Sequence, residues 1–278
     1  MSYLENLFTL KGKTALITGA AGGIGSAIAG AFHSAGALVL LCDINTEELG
    51  RVVNNLNGSG KNPGENTGVS AAARAHSFTL DMTDISAFKT LVADAAKISG
   101  RIDILVNCAG INKREGLVDV EEATYDRIMD INLKGAFFLS QAVAPYMKNQ
   151  KSGSIINIGS HNTGAVLGGV SVYGASKSGI LSLTRSMAIE WAKYNIRANC
   201  ISHGHIKTSL TVPTWEHPER SKFLLDRIAL GRPGLPEDIT GLCILLASDA
   251  SSYITGAEFR IDGGCMAGGQ PWPYDTKF

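Results

Sequence analysis

Short, wholly apolar runs alternate with longer stretches of helical period from one end of the chain to the other. Each run is strand-sized and apolar at consecutive positions, which predicts strands that are buried on both faces of a sheet. Because these strands alternate with helices, the pattern favours an α/β fold with one doubly wound, seven-stranded parallel sheet and helices on both faces. The predicted strands are residues 13–18, 37–42, 74–80, 102–107, 154–158, 196–201 and 258–261, and the predicted helices are 25–35, 46–56, 84–99, 120–148, 172–194 and 236–248.

Two segments interrupt this alternation. Residues 57–70 are rich in Gly, Asn, Ser and Pro, a composition typical of a surface loop, and are interpreted as an insertion. Residues 268–278 lie beyond the last predicted strand and carry Trp272 and Tyr274, so we expect this tail to dock on another surface. No internal repeat or Pro-rich linker divides the chain, and residues 1–278 are predicted to form a single catalytic domain.

Charge and cysteine usage narrow the class of protein. Lys and Arg number 25 and Asp and Glu number 25, so no basic field favours nucleic acid or an anionic membrane as a partner. The apolar stretches are far shorter than the ~20 residues of a membrane helix, and the N-terminus lacks the pattern of a secretory signal. The five cysteines form no C-x-x-C and are expected to be reduced, structural thiols of a cytoplasmic protein: Cys42, Cys108, Cys200, Cys243 and Cys265.

A glycine-rich segment, residues 18–25 (TGAAGGIG), joins the first predicted strand to the first predicted helix. Glycines in this context allow a tight turn and let backbone N–H groups and the helix N-terminus approach a pyrophosphate. Asp43 ends the second strand, where a carboxylate accepts hydrogen bonds from the adenosine ribose and repels a 2′-phosphate. No Arg or Lys lies in the glycine loop, so we expect NAD rather than NADP. A plain tight turn and a helix-capping Asp would leave the same pattern.

A second group of residues has the pattern of a proton-transfer site. Tyr173 and Lys177 are four residues apart on a predicted helix, so both lie on one face and the ammonium favours the phenolate form of the tyrosine. The same spacing also occurs in surface pairs. Here, however, Ser160 lies 13 residues before Tyr173, just past the fifth strand, and Asn132 lies 28 residues before Ser160.

Together these residues resemble the short-chain dehydrogenase/reductase family. The matching positions extend from about residue 11 to residue 264, and the resemblance implies a single-domain Rossmann fold and an NAD-dependent enzyme that interconverts secondary alcohols and ketones. The positions that carry the resemblance are TGAAGGIG, Asp81-Met82, Asn107-Cys108-Ala109-Gly110, Asn132, Ser160, Tyr173 and Lys177.

The resemblance implies a role for each of these residues. Tyr173 would be the general acid/base, and Ser160 would donate a hydrogen bond to the substrate oxygen. Lys177 would bind the nicotinamide ribose, and Asn132 would hold a water that links Lys177 to solvent. The resemblance also implies a homotetramer or homodimer, with predicted helices 120–148 and 172–194 at a dimer interface. The remaining cofactor contacts would come from Gly19, Gly22, Gly23, Ile24, Gly25, Asp43, Asp81, Met82, Asn107, Ala109, Gly110, Ile206 and Thr208.

The substrate end of the cleft departs from the family pattern. The family usually has Pro-Gly after the sixth strand, whereas this chain has His203-Gly204, followed by His205. With His161, these histidines are candidates for substrate contacts, and residues 208–230, which include Trp215, are expected to form a lid. A His-x-His pair can bind zinc, but no nearby Cys, Asp or Glu completes a site, so no metal is expected.

The C-terminal third is similar to family members that act on sugars, polyols and sugar acids, such as gluconate 5-dehydrogenases, and we expect a small hydroxylated or keto substrate. A 3-oxoacyl carrier-protein or steroid-type ketoreductase is the alternative, because such enzymes share this stretch widely. A non-catalytic, NAD-binding scaffold is a third reading. It would be expected to lack Tyr173, Lys177 or the glycine loop, all of which are present.

Overall fold

A computed structural model describes residues 2–58 and 74–269 of the chain. In these residues, seven strands form one sheet in the order β3-β2-β1-β4-β5-β6-β7, and every neighbouring pair is parallel. The predicted α/β fold with a seven-stranded parallel sheet is therefore confirmed. The strands are β1 (Thr14–Thr18), β2 (Leu38–Asp43), β3 (Ala75–Thr79), β4 (Ile104–Asn107), β5 (Gly153–Ile158), β6 (Ile196–His203) and β7 (Glu258–Ile261).

Helices cover both faces of the sheet, and two separate cores result. On β1, Ile17 packs into one core and the adjacent Leu16 packs into the other, because successive strand residues point to opposite faces. This is the physical reason why the central strands β1 and β4 are buried at every position, whereas the edge strands β3 and β7 are not. The helices are α1 (Tyr3–Phe8), α2 (Gly23–Ser34), α3 (Thr46–Gly58), α4 (Phe88–Lys97), α5 (Glu122–Met129), α6 (Ala136–Gln150), α7 (Ser171–Trp191), α8 (Val212–Trp215), α9 (Pro218–Leu225) and α10 (Glu237–Ala247).

The strand order reverses between β1 and β4. From β1 the chain builds outward through β2 to β3 and then returns to β4 on the other side of β1. Loops that leave the carboxyl ends of β1 and β4 therefore diverge and leave a cleft between them, as in other open α/β sheets. Thr18 Oγ1 joins the two strand ends, since it accepts hydrogen bonds from the backbone N–H groups of Cys108 and Ala109 at 3.1 Å each.

The structure differs from the sequence expectations at two helices. An N-terminal helix, α1, is present, with Ser2 and Glu5 forming a reciprocal cap at its first turn. The helix predicted over residues 120–148 is divided into α5 and α6 by a π-helical segment, Asp130–Gly135. Most of the 57–70 insertion and of the 268–278 tail lies outside the described residues. Among the helices that are described, none combines the length and apolar character needed to span a membrane.

Candidate active site

A cavity of about 620 Å³ lies at the carboxyl edge of the sheet, over the point where the strand order reverses. Most of the residues predicted from the sequence line this one cavity, although they come from every part of the chain. Those on its wall are Gly19, Gly22, Gly23, Ile24, Gly25, Asp43, Asp81, Met82, Ala109, Gly110, Ser160, His161, Tyr173, Lys177, His203, His205, Ile206, Thr208 and Trp215.

The glycine loop has the shape that a pyrophosphate requires. Gly19 has a φ of +66°, and a Cβ atom added there would lie 2.8 Å from the backbone of Ala109. A Cβ on Gly25 would lie 2.1 Å from the carbonyl oxygen of Gly19, so any side chain at that position would displace the loop. No side chain caps the first turn of α2, which leaves its N–H groups available to an anion at the cavity wall. These residues fit a dinucleotide cofactor.

Asp43 ends β2 beside this loop, and the backbone fixes its carboxylate. Oδ2 accepts a hydrogen bond from the N–H of Ala21 at 3.0 Å, and Oδ1 accepts one from Asn45 at 2.9 Å. Each oxygen keeps a further lone pair for a ribose hydroxyl.

Asp81, which follows β3, is a second carboxylate on the cavity wall. Thr83 donates hydrogen bonds to Asp81 from its backbone and hydroxyl, and these hold the pKa of the Asp81 carboxyl below its ordinary value.

Two of the predicted residues lie behind the wall of the cavity. Asn107 is buried at the end of β4, where its side-chain amide donates to Ser140 and to Asn157, and its expected contact with the cofactor stays a prediction. The cause of this burial is the strand alternation, which turns the Asn107 side chain toward α6 while the chain beyond it faces the cleft. Asn132 also lies off the wall, within the π-helical segment.

The side-chain amide of Asn132 forms two hydrogen bonds with the loop that follows β4. Its Nδ2 donates to the carbonyl oxygen of Ile111 at 2.9 Å, and its Oδ1 accepts from the N–H of Ile111 at 2.8 Å. A Cβ atom added to Gly110 would lie 3.3 Å from Asn132 Oδ1 and 3.5 Å from Lys177 Nζ, so both polar atoms surround this glycine. A π-helical turn at such a position is typical of functional sites.

Tyr173 and Lys177 lie one turn apart on α7, as their spacing predicts. Lys177 is 4% exposed, and its Nζ donates to the carbonyl oxygen of Ile158 at 2.7 Å. The same Nζ lies 5.7 Å from the centre of the Tyr173 ring. A buried ammonium is thereby fixed between the end of β5 and the phenol, where it can stabilise negative charge on the phenol oxygen.

Ser160 follows β5, and a neighbouring residue orients its hydroxyl. Asn162 donates two hydrogen bonds to Ser160 Oγ, from its backbone N–H at 3.2 Å and from its side-chain Nδ2 at 3.0 Å. Since both bonds use Ser160 Oγ as an acceptor, the hydroxyl proton is free to donate toward the cavity. Sequence reasoning missed Asn162, because nothing in its spacing distinguishes it from other loop residues.

Three histidines and a tryptophan line the far end of the cavity. The rings of His161 and His205 are in edge-to-face contact with their centres 4.5 Å apart, and His205 contacts Trp215 in the same way at 6.4 Å. Burial lowers the pKa of His203 and of His205 to about 4, and it also lowers the pKa of His161. These imidazoles are therefore neutral near pH 7 and can accept or donate hydrogen bonds.

The substitution of His203 for the usual proline leaves a tight turn in place. His203 Nδ1 lies 2.8 Å from the carbonyl oxygen of Gly204, which anchors the ring on its own backbone. Gly204 is required next to it, since a Cβ there would lie 2.7 Å from Cα of Asp262. The turn that proline fixes through its φ angle is here fixed by packing against the 262–264 segment.

Two residues at this end were not anticipated from the sequence. Arg114 lines the cavity and comes from the loop after β4, where only the basic pair Lys113-Arg114 in the sequence signals it. Cys265, expected to be only structural, has its sulfur within 4.8 Å of ring nitrogens of His161 and His205. The expectation that no cysteine stands near these histidines is therefore wrong. Cys265 is 60 residues from His205 in the chain, and the sheet brings the two together.

A doubly wound parallel sheet with a glycine-lined cleft at its reversal point is the architecture of a nucleotide-dependent oxidoreductase. Comparison with known proteins gives the same result: a family model described as enoyl-(acyl carrier protein) reductase matches residues 19–266. The chain belongs to the short-chain dehydrogenase/reductase family, whose members bind a nicotinamide dinucleotide.

The chain is similar to family members with different named activities. It is 40% identical to 2-dehydro-3-deoxy-D-gluconate 5-dehydrogenase of Dickeya dadantii, over 94% of this chain and 98% of that protein. It is also 40% identical to 3-oxoacyl-(acyl-carrier-protein) reductase of Thermotoga maritima, over 92% of this chain and 99% of that protein. A gluconate 5-dehydrogenase of Burkholderia cenocepacia, solved with NADP and tartrate, superposes with a TM-score of 0.87 at 31% identity, over 95% of this chain and 99% of that one.

Proposed function

We propose that this protein is an NAD-dependent dehydrogenase that interconverts a secondary alcohol and a ketone on a sugar acid, with Tyr173 as the general acid/base. The observation that carries the proposal is the composition of one cavity wall. The glycine loop lies at one end, Tyr173 and Ser160 at the middle, and Arg114 with the histidines at the other.

In this proposal the chain positions the substrate and moves one proton. Ser160 donates a hydrogen bond from its hydroxyl to the substrate oxygen, and Tyr173 takes the hydroxyl proton of the alcohol as the C–H bond of the alcohol carbon breaks and that carbon is oxidised. Lys177 stabilises the phenolate through its fixed ammonium, and Asn132 fixes the loop beside it. The bound nicotinamide supplies the acceptor for the hydride. The proton that Tyr173 takes must then pass to solvent before the next turnover.

The preference for NAD rests on Asp43. A 2′-phosphate on the adenosine ribose would bring negative charge next to this carboxylate, and no Arg or Lys of the glycine loop or of residues 44–45 could compensate it. The relative from Burkholderia cenocepacia was solved with NADP, so this preference is a property we propose for the present chain and not for its relatives.

The proposed substrate class rests on polarity and charge at the far end of the cavity. Three neutral imidazoles suit hydroxyl groups, and the guanidinium of Arg114 suits a carboxylate. Two of the relatives described above are named for gluconate derivatives, which carry both groups. We further propose that the protein acts in the cytoplasm on a free small molecule, with neither nucleic acid nor membrane as a partner.

A 3-oxoacyl carrier-protein reductase is the second candidate. It is favoured by the relative from Thermotoga maritima, which is as identical to this chain as the gluconate enzyme is. Such an enzyme would use the same Tyr173 and Ser160 and reduce a ketone on a long apolar thioester. The polar far end of the cavity argues for the sugar acid instead.

The two candidate functions are distinguished by measuring which substrates the enzyme turns over, followed through the absorbance of the nicotinamide cofactor. We expect purified enzyme to turn over a sugar acid with NAD faster than with NADP, and to turn over the corresponding polyol with a higher KM. The variant Arg114→Ala should raise KM for the acid and leave KM for the polyol unchanged, because only the acid has a carboxylate. Turnover of a 3-oxoacyl thioester with NADPH, without turnover of sugar acids, would replace the proposal with the second candidate.

A further inference from the structure

The carboxyl ends of three adjacent strands carry a group of metal-ligand side chains. β5, β6 and β7 are neighbours in the sheet, and the loops that follow them carry His161, His205 and Cys265 respectively. One ligand atom from each residue lies within 4.8 Å of the others. This is the one such group of three His, Cys, Asp or Glu side chains among the residues that the structure describes.

Two of these ligand residues have a buried nitrogen without a hydrogen-bond partner. His161 is 5% exposed, and its Nδ1 is buried and unpaired, as is Nε2 of His205. Buried polar atoms are nearly always paired in proteins, so an unpaired nitrogen on each of two rings in contact indicates a missing ligand.

Hydrogen bonds fix the segments that carry the outer two residues. Thr163 donates to Glu258 Oε1 at 2.5 Å, which holds the turn after His161 against β7. Asp262 accepts hydrogen bonds from the N–H groups of Gly264 and Met266 at 2.9 Å each, which fixes the turn that carries Cys265. His161 and Cys265 therefore stand on supported turns at a common edge of the sheet.

We propose that His161, His205 and Cys265 bind a Zn²⁺ ion at the substrate end of the cavity. Two imidazoles and a thiolate are a ligand set that zinc prefers, and three protein ligands leave one position of a tetrahedral site open. Zinc–ligand bonds of about 2.0–2.3 Å require ligand atoms roughly 3.5 Å apart, so the side chains close by about 1 Å on binding. His161 and His205 line the cavity while Cys265 does not, so the open position faces the substrate.

Metal binding is tested on the full-length protein after treatment with a chelator. Zn²⁺ is titrated in competition with a chromophoric chelator, and Co²⁺ serves as the spectroscopic probe. We expect one equivalent of either metal, and a near-ultraviolet thiolate-to-cobalt charge-transfer band. Cys265→Ser should abolish the band and weaken Zn²⁺ binding by more than about 100-fold, since even residues that only support metal ligands are worth about 10–100-fold.

Matched variants separate this site from adventitious binding. His203→Gln changes another histidine of the same cavity whose ring is bound to Gly204, and Cys108→Ser changes another half-buried thiol. Both should keep the band and the affinity, whereas His205→Gln should lose both. Binding that survives Cys265→Ser, or Co²⁺ binding without the charge-transfer band, would overturn the proposal. Thermal unfolding of each metal-free variant shows whether it is folded.

The position of the site has a consequence for turnover, which rests on the proposed function. Because the open position faces the substrate end, Zn²⁺ should raise KM for the substrate in the wild type. Cys265→Ser should turn over normally without zinc and resist this inhibition. Equal inhibition of both proteins would overturn the placement of the metal beside the substrate. Absence of any turnover would count against the proposed function alone, since metal binding is measured without substrate.

Discussion

The hydroxyl of Ser160 is useful to catalysis only if its proton points into the cavity, and Asn162 provides that orientation. Both hydrogen bonds from Asn162 end on Ser160 Oγ, and Asn162 itself is buried at 7% exposure. Asn162 is thus a positioning residue that acts through Ser160. The spacing of residues in the sequence does not reveal that Asn162 donates to Ser160.

Replacement of Asn162 by Ala tests this role. The backbone bond to Ser160 is retained and the side-chain bond is lost, so we expect kcat to fall by about tenfold, the equivalent of one hydrogen bond of about 1.4 kcal/mol. The dissociation constant of the cofactor should stay unchanged. Steady-state kinetics and a cofactor titration measure the two quantities. An unchanged kcat would show that the side chain of Asn162 does not orient the hydroxyl.

Residue spacing predicted most of the residues on the cavity wall, because many of them lie close to one another in the sequence. Tyr173 and Lys177 are one helical turn apart, and the glycine loop is contiguous, so both can be read directly from the chain. Cys265 could not be found in this way, since its neighbours His161 and His205 come from other strand ends. The bonds of the Asn107 side chain to Ser140 and Asn157 could not be predicted either, because the family position specifies the strand end but not which face the side chain takes.

At the scale of elements, the junction of β1 and α2 leaves no room for a side chain at Gly25. The Cβ of an alanine at position 25 would lie 2.1 Å from the carbonyl oxygen of Gly19, a contact that only a shift of the backbone can relieve. Gly30, on the same helix, has no such neighbour, and the nearest atom to an added Cβ is a Leu56 methyl at 4.0 Å.

These two glycines form a matched pair of substitutions. Gly25→Ala should displace the loop and weaken cofactor binding by more than about tenfold, because backbone N–H groups leave the phosphate position. Gly30→Ala should keep the cofactor affinity and raise the free energy of unfolding by about 0.5–1 kcal/mol, since it removes glycine from a helix interior. Cofactor titration and urea unfolding check both. Equal cofactor affinity in the two variants would contradict this account of the loop.

The start of α10 depends on an ion pair that titrates in acid. Arg232 donates to both oxygens of Asp238 at 2.7 and 3.0 Å, and the N–H of Leu235 donates to the same carboxylate at 2.7 Å. These bonds, the one from Arg232 first, lower the pKa of Asp238 to about 2 from an ordinary value of 3.8. The carboxylate therefore stabilises the folded protein above about pH 4, and that stabilisation is lost as the pH falls toward 2.

We expect Asp238→Asn to lower the free energy of unfolding at pH 6 by no more than about 1 kcal/mol, because the pair is partly exposed to solvent. The difference from the wild type should shrink as the pH falls below 4. Urea unfolding at a series of pH values measures it. Glu237→Gln, which changes the adjacent carboxyl in the same turn, is the control and should show no such trend. A difference that is constant with pH would contradict the assignment.

At the scale of the whole molecule, the sheet topology explains why the proposed cofactor site and the proposed catalytic residues share one cleft. The reversal at β1 and β4 opens the cleft, and the ends of β5 and β6 deliver Ser160 and the histidines to its far end. Alternation of apolar runs and helices was sufficient to predict this layout. It did not predict the π-helical segment Asp130–Gly135, because the alternation of apolar runs and helices shows where a helix lies and not which backbone carbonyl each N–H binds.

The outer surface of α5, α6 and α7 is the basis for a prediction about assembly. Tyr125, Phe137 and Ile189 are apolar and 47%, 42% and 80% exposed in the single chain. Exposed apolar residues on adjacent helices are typical of subunit interfaces. We expect a homotetramer of about four times 29.3 kDa by sedimentation, with Ile189→Glu shifting it to smaller species and Leu4→Glu, on α1, leaving it unchanged. A monomeric wild type at micromolar concentration would contradict the prediction.

The most direct test of the whole account is the replacement of Tyr173 by Phe, which removes one oxygen atom. With NAD and a sugar acid that the wild-type enzyme turns over, we expect kcat to fall by about 10²- to 10⁴-fold, which is the contribution of a positioned acid/base group. Cofactor affinity should persist, and Tyr194→Phe, which alters a tyrosine in the turn after α7 beside Lys148, should behave as the wild type. Turnover that survives Tyr173→Phe would contradict the proposed chemistry.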